Sequence, residues 1–417
     1  MTKFQPSTHS SKLELIGSKS KLLAEKKVLF GLTGSVAVLE IVRTARLLMR
    51  HGAEVYAAMS SAAIDLIHPN LVEWAIGNPV ITELTGQIEH VHLCGEHPAK
   101  VDLVLVAPST ANTIGKIASG IDDTPVTTMV TTALGTGIPI AIVPAMHATM
   151  YENPIVQKNI DYLSQIGIHF IGPRKEEGKA KIATSEEILE NVIQILTPND
   201  YHGKKVVVTA GPTRIWIDEI RFISNPSSGK MGLALALEAA SRGADVTLII
   251  GPTTLTIPNI EGIETIEIET PQEIIQSIDK IKTLDIFISA AAISDYEPKE
   301  SLQGKIPSKK ASLTIELKPA PKVIAHARDK FPQGLIIGFK AETNISKEEL
   351  IKRAIQRLEE TQLDMMVANF VNKPATGFNA ETNEVYIIKK SHKEIHLPLS
   401  SKRMIAKKIL DEIKELF

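Results

Sequence analysis

The sequence predicts an α/β protein with two Rossmann-like domains. Near its amino end, an apolar β-type run precedes a small-residue turn, a run with helical spacing and a second β-type run, which indicates a βαβ unit. The segments RHGAEVYAAM (50–59) and AASRGADVTLII (239–250) share one pattern: a helix ends, Gly-Ala and an acidic residue follow, and a strand begins. The segment TPNDYHG (197–203) is the clearest break in the chain. We therefore expect an arm over 1–24, a first domain over 25–197 and a second over 198–417.

Composition limits the class of protein. The 417 residues suffice for two or three domains, and the contents of 43% hydrophobic and 23% charged residues are typical of globular proteins. A net charge of −2 gives no basic excess for nucleic acid, and one cysteine, Cys94, excludes an internal disulfide. No run approaches the roughly 20 apolar residues of a membrane-spanning helix, and residues 1–21 lack an apolar signal core. We expect a cytoplasmic protein that binds neither nucleic acid nor membranes.

The first domain begins after an arm whose structure is weakly specified by its sequence. Residues 28–32 form a predicted strand that ends in the turn Thr33-Gly34-Ser35. Apolar residues at helical spacing predict a helix over 38–49, and residues 54–59 form the next strand, which ends at Ser60. Taken alone, the segment TGSVA (33–37) is better explained as a tight turn than as a phosphate-binding loop.

Two later apolar runs, 101–107 and 138–143, are typical of parallel strands covered on both faces. The first ends in PSTANT (108–113) directly before a predicted helix, and the second ends in PAMHATM (144–150). Three strands of this domain therefore end in small or polar loops. Because binding sites on such sheets gather at the carboxyl ends of the strands, we expect a site there.

These segments resemble the flavin-dependent cysteine decarboxylase family over roughly residues 25–195. APSTANT is similar to the family motif PASANT, PAMHATM to P-x-M-N-x-x-M, and GQIEHVHL (86–93) to the segment that carries the family's active-site histidine. The resemblance implies a flavodoxin-like, homo-oligomeric flavoprotein domain. FMN would lie between the subunits of a trimer, and trimers would assemble further, commonly to a dodecamer. The implied FMN-binding residues are Gly34, Ser35, Val36, Ser60, Ser109, Thr110, Asn112 and Met146.

The same resemblance implies two catalytic histidines. His90 falls on the family's active-site position, where a histidine can transfer a proton near the substrate thiol at neutral pH. His147 stands where bacterial members have asparagine, and we expect it to hold the substrate carboxylate. Without the flanking motifs, His90 is better explained as a surface or half-buried histidine. His90, His92 and His97 could also form a metal site, but no cysteine or carboxylate ligand pattern accompanies them.

The segment GPRKEEGKAKIAT (172–184) departs from the bacterial family members, which carry a cysteine there that protonates or positions the enethiol intermediate. This sequence has none, so the acid of that step is unassigned. Together with PAMH, the segment looks more like the archaeal branch of the family, and it is a candidate flap. Its charges can also belong to a solvated loop; they are Glu176, Glu177, Lys179 and Lys181.

The second domain opens with VVVTAGPTRIWIDEIRFISNPSSGKMG (206–232), a β run that leads to a helix with an apolar face. The loop between them takes about twenty residues, far more than usual for a strand-to-helix connection, which indicates a binding site. Small residues, free N–H groups and a lysine at a helix start suit a phosphate. The alternative for SSGK (227–230) is a serine cap with a solvated lysine, and the Walker A spacing is absent.

TAGPTR (209–214) followed by RFISNPSSGKMG (221–232) closely resembles the opening of the phosphopantothenate–cysteine ligase domain. That domain is the carboxyl half of bifunctional coenzyme A biosynthesis enzymes, whose amino half is a phosphopantothenoylcysteine decarboxylase. Further matches follow in the expected order, so that the resemblance covers nearly all of 204–417. They are AAAISDY (290–296), PAPKVI (319–324), GFKAETN (338–344), ANFV (368–371) and GFNAETNEV (377–385).

The resemblance implies that 4′-phosphopantothenate reacts with CTP to form an acyl-cytidylate, which the amine of cysteine converts to an amide. Lysines, N–H groups and Mg²⁺ would neutralise the developing charge. Asn225 would hold the acyl-cytidylate, Lys305 would serve its turnover by cysteine, and Arg221 and Ala292 fall on functional positions. We expect the ligase domains to dimerise. The implied substrate or nucleotide residues are Gly211, Ser227, Ser228, Gly229, Lys230, Ser289, Ala290, Ala291, Asp295 (also for the metal), Pro321, Lys322, Val323, Ile324 and Phe339.

The product of the ligase would be the substrate of the decarboxylase, and 4′-phosphopantetheine would be the final product. Two alternatives remain open. One is a ligase with a degenerate flavin domain, which the missing flap cysteine and His147 suggest. The other is a flavin-binding regulatory subunit that contacts partner proteins, although the intact ligase motifs favour an enzyme.

Overall fold

The structure, a computed structural model, describes residues 14–417 except 177–178, 259, 301–303, 307–312 and 373–374. The side chains of residues 175–180 are likewise outside the description. The chain divides into two compact units, Met1–Thr197 and Pro198–Phe417. Across the described ranges, no helix has the length and apolar character needed to cross a membrane.

The amino-terminal unit contains a parallel sheet of six strands in the order β3-β2-β1-β4-β5-β6. This is the Rossmann strand order, which differs in detail from the flavodoxin order. A separate antiparallel pair, β7 and β8, lies in the candidate flap. The strands are β1 (Lys27–Leu32), β2 (Glu54–Met59), β3 (Val80–Ile81), β4 (Leu103–Ser109), β5 (Ile140–Pro144), β6 (His169–Phe170), β7 (Arg174–Glu176) and β8 (Lys179–Lys181).

Helices cover both faces of this sheet, so its central strands are buried, as their continuous apolar runs predict. The predicted helix over 38–49 divides into a 3-10 turn, Val36–Glu40, and a helix, because the side chain of Ser35 accepts the N–H of Ala37 and begins the turn early. The helices are α1 (Ile41–Arg50), α2 (Ser61–Ile64), α3 (Pro69–Ile76), α4 (Glu89–Cys94), α5 (Ala111–Ala118), α6 (Pro125–Thr136), α7 (Ala148–Tyr151), α8 (Pro154–Gln165) and α9 (Ser185–Leu196).

The arm is more ordered near its end than its sequence suggests. Residues 1–13 lie outside the described residues, but 14–24 follow the carboxyl end of α1. The N–H of Gly17 donates to the carbonyl of Met49 at 2.9 Å, and the N–H of Leu23 donates to that of His51 at 2.8 Å. Leu23 is buried in the core. The described part of the arm is therefore an integral part of the unit.

The carboxyl-terminal unit contains an eight-stranded sheet in the order β13-β12-β9-β14-β17-β18-β19-β20. Its first six strands are parallel, and the last two are antiparallel additions. Two short antiparallel pairs lie apart from it, β10 with β11 and β15 with β16. The strands are β9 (Lys205–Ala210), β10 (Arg214–Trp216), β11 (Phe222–Ser224), β12 (Asp245–Ile250), β13 (Ile263–Glu267), β14 (Ile286–Ser289), β15 (Tyr296–Pro298), β16 (Leu317–Pro319), β17 (Leu335–Glu342), β18 (Met365–Phe370), β19 (Thr382–Lys389) and β20 (Glu394–Ser401).

The first helix of this unit is buried on all sides, and not only along the predicted apolar face, because it packs against both the sheet and the last helix. The long predicted loop before it contains the β10–β11 hairpin and is not irregular throughout. The helices are α10 (Lys230–Ser241), α11 (Pro271–Lys280), α12 (Val323–Lys330), α13 (Lys347–Glu360) and α14 (Lys402–Lys414).

The predicted linker is anchored to the second unit at its carboxyl end. Tyr201 is fully buried, and its hydroxyl donates to the carbonyl of Leu410 at 2.6 Å. The guanidinium of Arg242 donates to Asp200 at 2.7 Å through both Nε and Nη2. This bidentate bond to a carboxylate fixes the entry of the chain into β9.

Candidate active sites

In the amino-terminal unit, hydrogen bonds join the loops that follow β1, β4 and β5. The hydroxyl of Thr33 donates to the carbonyl of Pro108 at 2.8 Å and accepts the N–H of Thr110 at 3.2 Å. The hydroxyl of Ser35 donates to the carbonyl of Ala145 at 3.1 Å. These bonds hold three strand ends together at the carboxyl edge of the sheet, where such folds bind their ligands.

The loop after β2 meets the same edge. A Cβ atom added to Gly34 would lie 2.6 Å from the Cβ atom of Ala62, so this close approach requires glycine. The hydroxyl of Ser60 accepts the N–H of Ala63 at 3.3 Å and begins α2. Val36 lies beside this contact with its side chain largely exposed.

The predicted cofactor residues of β4 and β5 complete this edge. Thr110 caps α5 by accepting the N–H of Thr113 at 3.2 Å, while Asn112 is exposed and Met146 is half-buried. Ser109 is fully buried, and its hydroxyl has no hydrogen-bond partner among the described residues. Because a buried hydroxyl is costly to leave unpaired, this orphaned group fits a polar ligand such as a flavin at the edge.

The structure places the two predicted histidines differently. His147 lies at the carboxyl end of β5, at the start of α7, where it is exposed and its Nδ1 is 3.0 Å from the hydroxyl of Thr149. His90 lies on α4, half-buried, with an Nδ1 atom that is buried and without a partner among the described residues. No hydrogen bond within the described ranges joins His90 to the strand-end residues. His147 therefore belongs to this edge, whereas His90 lies on a separate helix.

The neighbours of His90 give no support to a metal cluster. The rings of His92 and His97 meet edge to face at 4.5 Å. Over the described part of the chain, no three His, Cys, Asp or Glu side chains form a metal-binding group. Burial raises the pKa of the Cys94 thiol to about 12, so this cysteine is a protonated core residue and not a reactive thiolate.

The candidate flap is described in part. The side chains of Glu176, Glu177 and Lys179 lie outside the described residues, and Lys181 is exposed. Arg174 donates through Nε to the carbonyl of Ile182 at 3.1 Å and closes the β7–β8 hairpin. The described residues of the flap assign no acid for the enethiol intermediate.

In the carboxyl-terminal unit, two adjoining cavities open along the carboxyl edge of the parallel strands. Cavity I has a volume of about 520 Å³ and lies between β14, β17 and α12. Cavity II has a volume of about 330 Å³ and lies at the start of α10. The predicted residues that line cavity I are Ser289, Ala291, Asp295, Pro321, Lys322, Val323, Ile324 and Phe339. Those that line cavity II are Asn225, Ser227, Ser228, Gly229, Lys230, Ala290, Ala291, Ala292, Asp295 and Phe339.

Asn225 links the loop before α10 to the loop after β14. Its Nδ2 donates to the carbonyl of Ala292 at 3.2 Å and to that of Ile293 at 3.4 Å. Gly211 supports the same junction, because its carbonyl accepts the N–H of Ala292 at 2.9 Å and its φ of 75° favours glycine. Neither Gly211 nor Arg221 nor Lys305 lines a cavity described here.

The start of α10 is not a serine cap with a solvated lysine. The N-cap residue is Gly229, with a φ of 79° and no capping side chain. The hydroxyl of Ser228 donates to the carbonyl of Phe378 instead. Lys230 donates to the carbonyl of Asn379 at 3.0 Å and forms an ion pair with Glu381. Residues 229–232 line cavity II, and the one side-chain acceptor at this helix start among the described residues is the hydroxyl of Ser227, which accepts the N–H of Gly229 at 3.4 Å.

Asp218 joins Arg221 to the segment that carries Lys305, outside the cavities. One carboxylate oxygen of this buried residue accepts the N–H of Arg221 at 2.7 Å, and the other accepts the N–H of Ile306 at 3.1 Å. The guanidinium of Arg221 is 3.1 Å from the same carboxylate. Burial alone would raise the pKa of Asp218, but the N–H groups of Ile306, Ile220 and Arg221 and the guanidinium hold it below its usual range.

Asp295 is the candidate metal ligand. It lines both cavities, and its carboxylate is exposed and 2.6 Å from Lys322. It is the single carboxylate among the described residues that line cavity II. Because Mg²⁺ is often bound by one or two carboxylates together with substrate phosphates, this donor fits a metal that arrives with a nucleotide.

Comparison with known proteins places the whole chain in one family. Residues 16–197 match the family model described as Flavoprotein, and residues 201–417 match the DNA/pantothenate metabolism flavoprotein C-terminal domain. The coenzyme A biosynthesis bifunctional protein CoaBC of Thermococcus kodakarensis is 49% identical over 411 residues, which cover 98% of this chain and 99% of that protein. The chain belongs to the family of bifunctional coenzyme A biosynthesis proteins.

Two more relatives of the same name extend the comparison. The protein of Methanocaldococcus jannaschii is 39% identical over 98% of both chains, and that of Vibrio vulnificus is 34% identical over 94% of this chain and 98% of the other. The predicted family, its archaeal character, the two-domain α/β class and the pairing of a decarboxylase half with a ligase half are confirmed at this level. The roles of individual residues stay predictions.

Several residues of the candidate sites were missed by the sequence reading. Asp218 lies between two predicted residues but carries no motif of its own, and Asn369 and Asn383 line cavity II from β18 and β19. Lys402 also lines cavity II, as the first residue of α14. A lysine at a helix start opposes the helix dipole, and this unusual placement was the available signal.

Proposed function

We propose that the protein catalyses two consecutive steps of coenzyme A biosynthesis. The ligase half condenses 4′-phosphopantothenate with cysteine at the expense of CTP, and the decarboxylase half converts the resulting 4′-phosphopantothenoylcysteine to 4′-phosphopantetheine. The observation that supports this most is the convergence of the ligase motif residues on two adjoining cavities. These residues come from separate parts of the chain, between Asn225 and Phe339.

The ligase reaction begins when a carboxylate oxygen of 4′-phosphopantothenate attacks the α-phosphorus of CTP. A new P–O bond forms, the bond to the β-phosphate breaks, and pyrophosphate leaves. Asn225 lies between the start of α10 and the loop after β14, so its amide can hold the acyl-cytidylate between them. The N–H groups at the start of α10 supply fixed positive dipoles for the phosphate charge that develops.

Cysteine then attacks the acyl carbon through its amine. The C–N bond forms, the amine loses a proton, and CMP leaves. Lys305 is exposed next to Ile306, whose position is fixed by Asp218 and Arg221. We assign this lysine to the second half-reaction, and Mg²⁺ to Asp295 together with the triphosphate.

The amino-terminal unit would hold FMN at the carboxyl edge of its sheet. When bound, FMN supplies the reversible two-electron oxidation that makes loss of carbon dioxide from the substrate possible. Ser109 offers it an unpaired hydroxyl, and Thr110 and Asn112 offer further polar groups at the start of α5. His147 can bind the substrate carboxylate at the end of β5, and His90 can move a proton near the thiol.

A homo-oligomer completes the proposal. His90 is not bonded to the strand-end residues of its own described unit, which supports a site shared between copies of the chain. Large apolar side chains beside the edge are exposed, among them Val36, Leu39 and Met150. A trimer that assembles further, commonly to a dodecamer, would cover them, and the ligase domains would pair as dimers.

One reaction series tests the whole proposal. The purified protein is incubated with 4′-phosphopantothenate, cysteine, Mg²⁺ and either CTP or ATP, and products are identified by mass. Amide formation followed by loss of carbon dioxide is expected. Amide without carbon dioxide, in a yellow protein, would indicate a ligase with a degenerate flavin domain. No turnover, combined with capture of partner proteins, would indicate a regulatory subunit.

A further inference from the structure

Lys402 is a buried lysine that the functions proposed so far do not use. The residue is 6% exposed, and it lines cavity II from the first position of α14. Its Nζ donates to the carbonyls of Gly377 and Phe378, both at 3.2 Å. An ammonium group has three N–H donors, so these two bonds leave one donor available.

The charged side chains around cavity II show why this lysine is unusual. Lys230 is paired with Glu381, Lys340 is 3.2 Å from Glu342, and Asp295 is paired with Lys322. Lys402 has no carboxylate partner among the described residues, and the residues of this unit outside the description include no Asp or Glu. It is therefore a buried cation whose hydrogen-bond partners in the described structure are two backbone carbonyl groups.

The surroundings add positive potential. The hydroxyl of Ser228 and the Nζ of Lys402 share one acceptor, the carbonyl of Phe378, so the lysine lies close to the start of α10. That helix begins at Gly229 without a side-chain cap and has no acidic residue in its first turn, and α14 likewise has none. The start of α14 is capped by the side chain of Ser401, so the uncapped start of α10 and the ammonium of Lys402 are both positive groups beside the cavity.

A buried charge is costly unless it is paired, and a positive charge among helix amino ends is further disfavoured. Burial, together with repulsion by Lys230, lowers the pKa of Lys402 to about 8, which reflects this cost. An anion at the start of α10 would supply the missing partner, and cavity II is the space in which it can bind.

We propose that Lys402 is a substrate-binding residue that donates a hydrogen bond to a phosphate oxygen in cavity II. The assignment rests on the proposed ligase function, because both 4′-phosphopantothenate and CTP bring phosphate groups. Lys402 would bind a phosphate oxygen in either case, and binding experiments determine which of the two substrates carries that phosphate.

The test compares the full-length protein with Lys402→Met, which keeps the aliphatic stem and removes the charge, and with Lys402→Arg, which keeps the charge. Lys408→Met is the matched control, since this lysine lies on the same helix and is exposed. Isothermal titration measures the binding of CTP, 4′-phosphopantothenate, unphosphorylated pantothenate and inorganic tripolyphosphate. Thermal unfolding verifies that each variant is folded.

Lys402→Met should weaken the binding of one phosphate-bearing substrate by roughly tenfold to a hundredfold, as expected for the loss of a charge-assisted hydrogen bond. A weakened binding of 4′-phosphopantothenate, with pantothenate unaffected, assigns Lys402 to the 4′-phosphate. A weakened binding of CTP and tripolyphosphate assigns it to the nucleotide. Lys402→Arg should recover part of the lost affinity, and Lys408→Met should bind as the wild type does.

The two proposals can fail separately. If the wild type forms no amide but binds tripolyphosphate in a manner that depends on Lys402, the ligase proposal is wrong and the anion site stands. If the wild type makes product while folded Lys402→Met binds all four ligands normally, Lys402 is a structural residue and this inference is wrong. Should Lys402→Met fail to fold, Lys402→Arg decides. Tripolyphosphate binding by Lys402→Arg that persists to pH 9, where binding by the wild type has fallen, would support the inference. Binding by Lys402→Arg that falls along the wild-type pH profile would overturn it.

Discussion

The carboxylate of Asp218 accepts a hydrogen bond from the N–H of Ile306 at 3.1 Å. The two residues are 88 positions apart, and the bond joins the β10–β11 hairpin to the segment that carries Lys305. Arg221 strengthens the junction, because its guanidinium contacts the same carboxylate and lies 3.4 Å from the carbonyl of Ile306. One buried acid thus holds Arg221 and the backbone next to Lys305 without lining either cavity itself.

Asp218→Asn should impair the cysteine-dependent half of the ligase reaction more than the first half. The amide keeps one oxygen but loses the charge that binds the guanidinium of Arg221 and the three backbone N–H groups of Ile220, Arg221 and Ile306, so the segment that carries Lys305 is less well positioned. We expect a loss of roughly tenfold or more in amide formation, from the energy of charge-assisted bonds. Quenched reactions analysed by mass, with pyrophosphate measured in parallel, separate the two steps.

Glu219→Gln is the matched control, since the neighbouring residue is exposed. It should leave both steps unchanged. Equal losses of pyrophosphate release and of amide formation in Asp218→Asn would contradict a positioning role and indicate a general disturbance of the fold.

The carboxyl ends of the strands were predictable because their signals are local. Each buried parallel strand is a continuous apolar run, and the small or polar residues that follow it mark the loop. This reasoning predicted the edge that contains Ser35, Thr110 and His147, and the loops that contain Asn225 and Asp295. Spacing along the chain suffices for such features, since the fold class determines where strand ends meet.

Contacts between distant segments were not predictable in this way. The bond from Asp218 to Ile306 and the bonds from Lys402 to Gly377 and Phe378 depend on how loops pack, which no periodicity encodes. The hairpin within the loop after β9 was also missed, because its strands of three residues each are too short to show alternation.

Lys305→Gln should still release pyrophosphate and should accumulate acyl-cytidylate without passing it to cysteine. The reason is that Lys305 lies outside both cavities, on a segment held by Asp218, and so is available to the second step rather than to nucleotide binding. Mass analysis of quenched reactions detects the intermediate. Lys299→Gln, a change at an exposed lysine that pairs with Glu316, is the control. Product formation by Lys305→Gln at the wild-type rate would make this lysine an ordinary surface charge.

His147→Ala should abolish decarboxylation and leave ligation intact, because the two sites lie in different units. His147→Asn, which restores the bacterial residue, should keep appreciable activity if the position serves to hold the substrate carboxylate. Release of carbon dioxide from supplied 4′-phosphopantothenoylcysteine measures the first activity, and amide formation in the same preparation is the internal control. The flavin spectrum should be unchanged in both variants, and full activity of His147→Ala would show that the motif assignment at this position is wrong.

Binding of the phosphate ligand in cavity II should weaken as the pH rises through about 8, where Lys402 loses its proton. The sign follows from burial, which lowers the pKa of this lysine from 10.5, so the ammonium that attracts an anion is present below pH 8 and is lost above it. The charged groups that face it are Lys230, which repels it, and Glu381, which attracts it; Asp295 and Lys340 also line the cavity. Titration with tripolyphosphate between pH 7 and 9.5 measures the effect. A binding experiment with this inorganic ligand needs no cysteine, the substrate whose thiol and amine ionise over the same range.

Lys402→Arg should give a flatter profile, because arginine stays charged over this range. Parallel profiles for the wild type and Lys402→Arg would mean that another group controls the affinity.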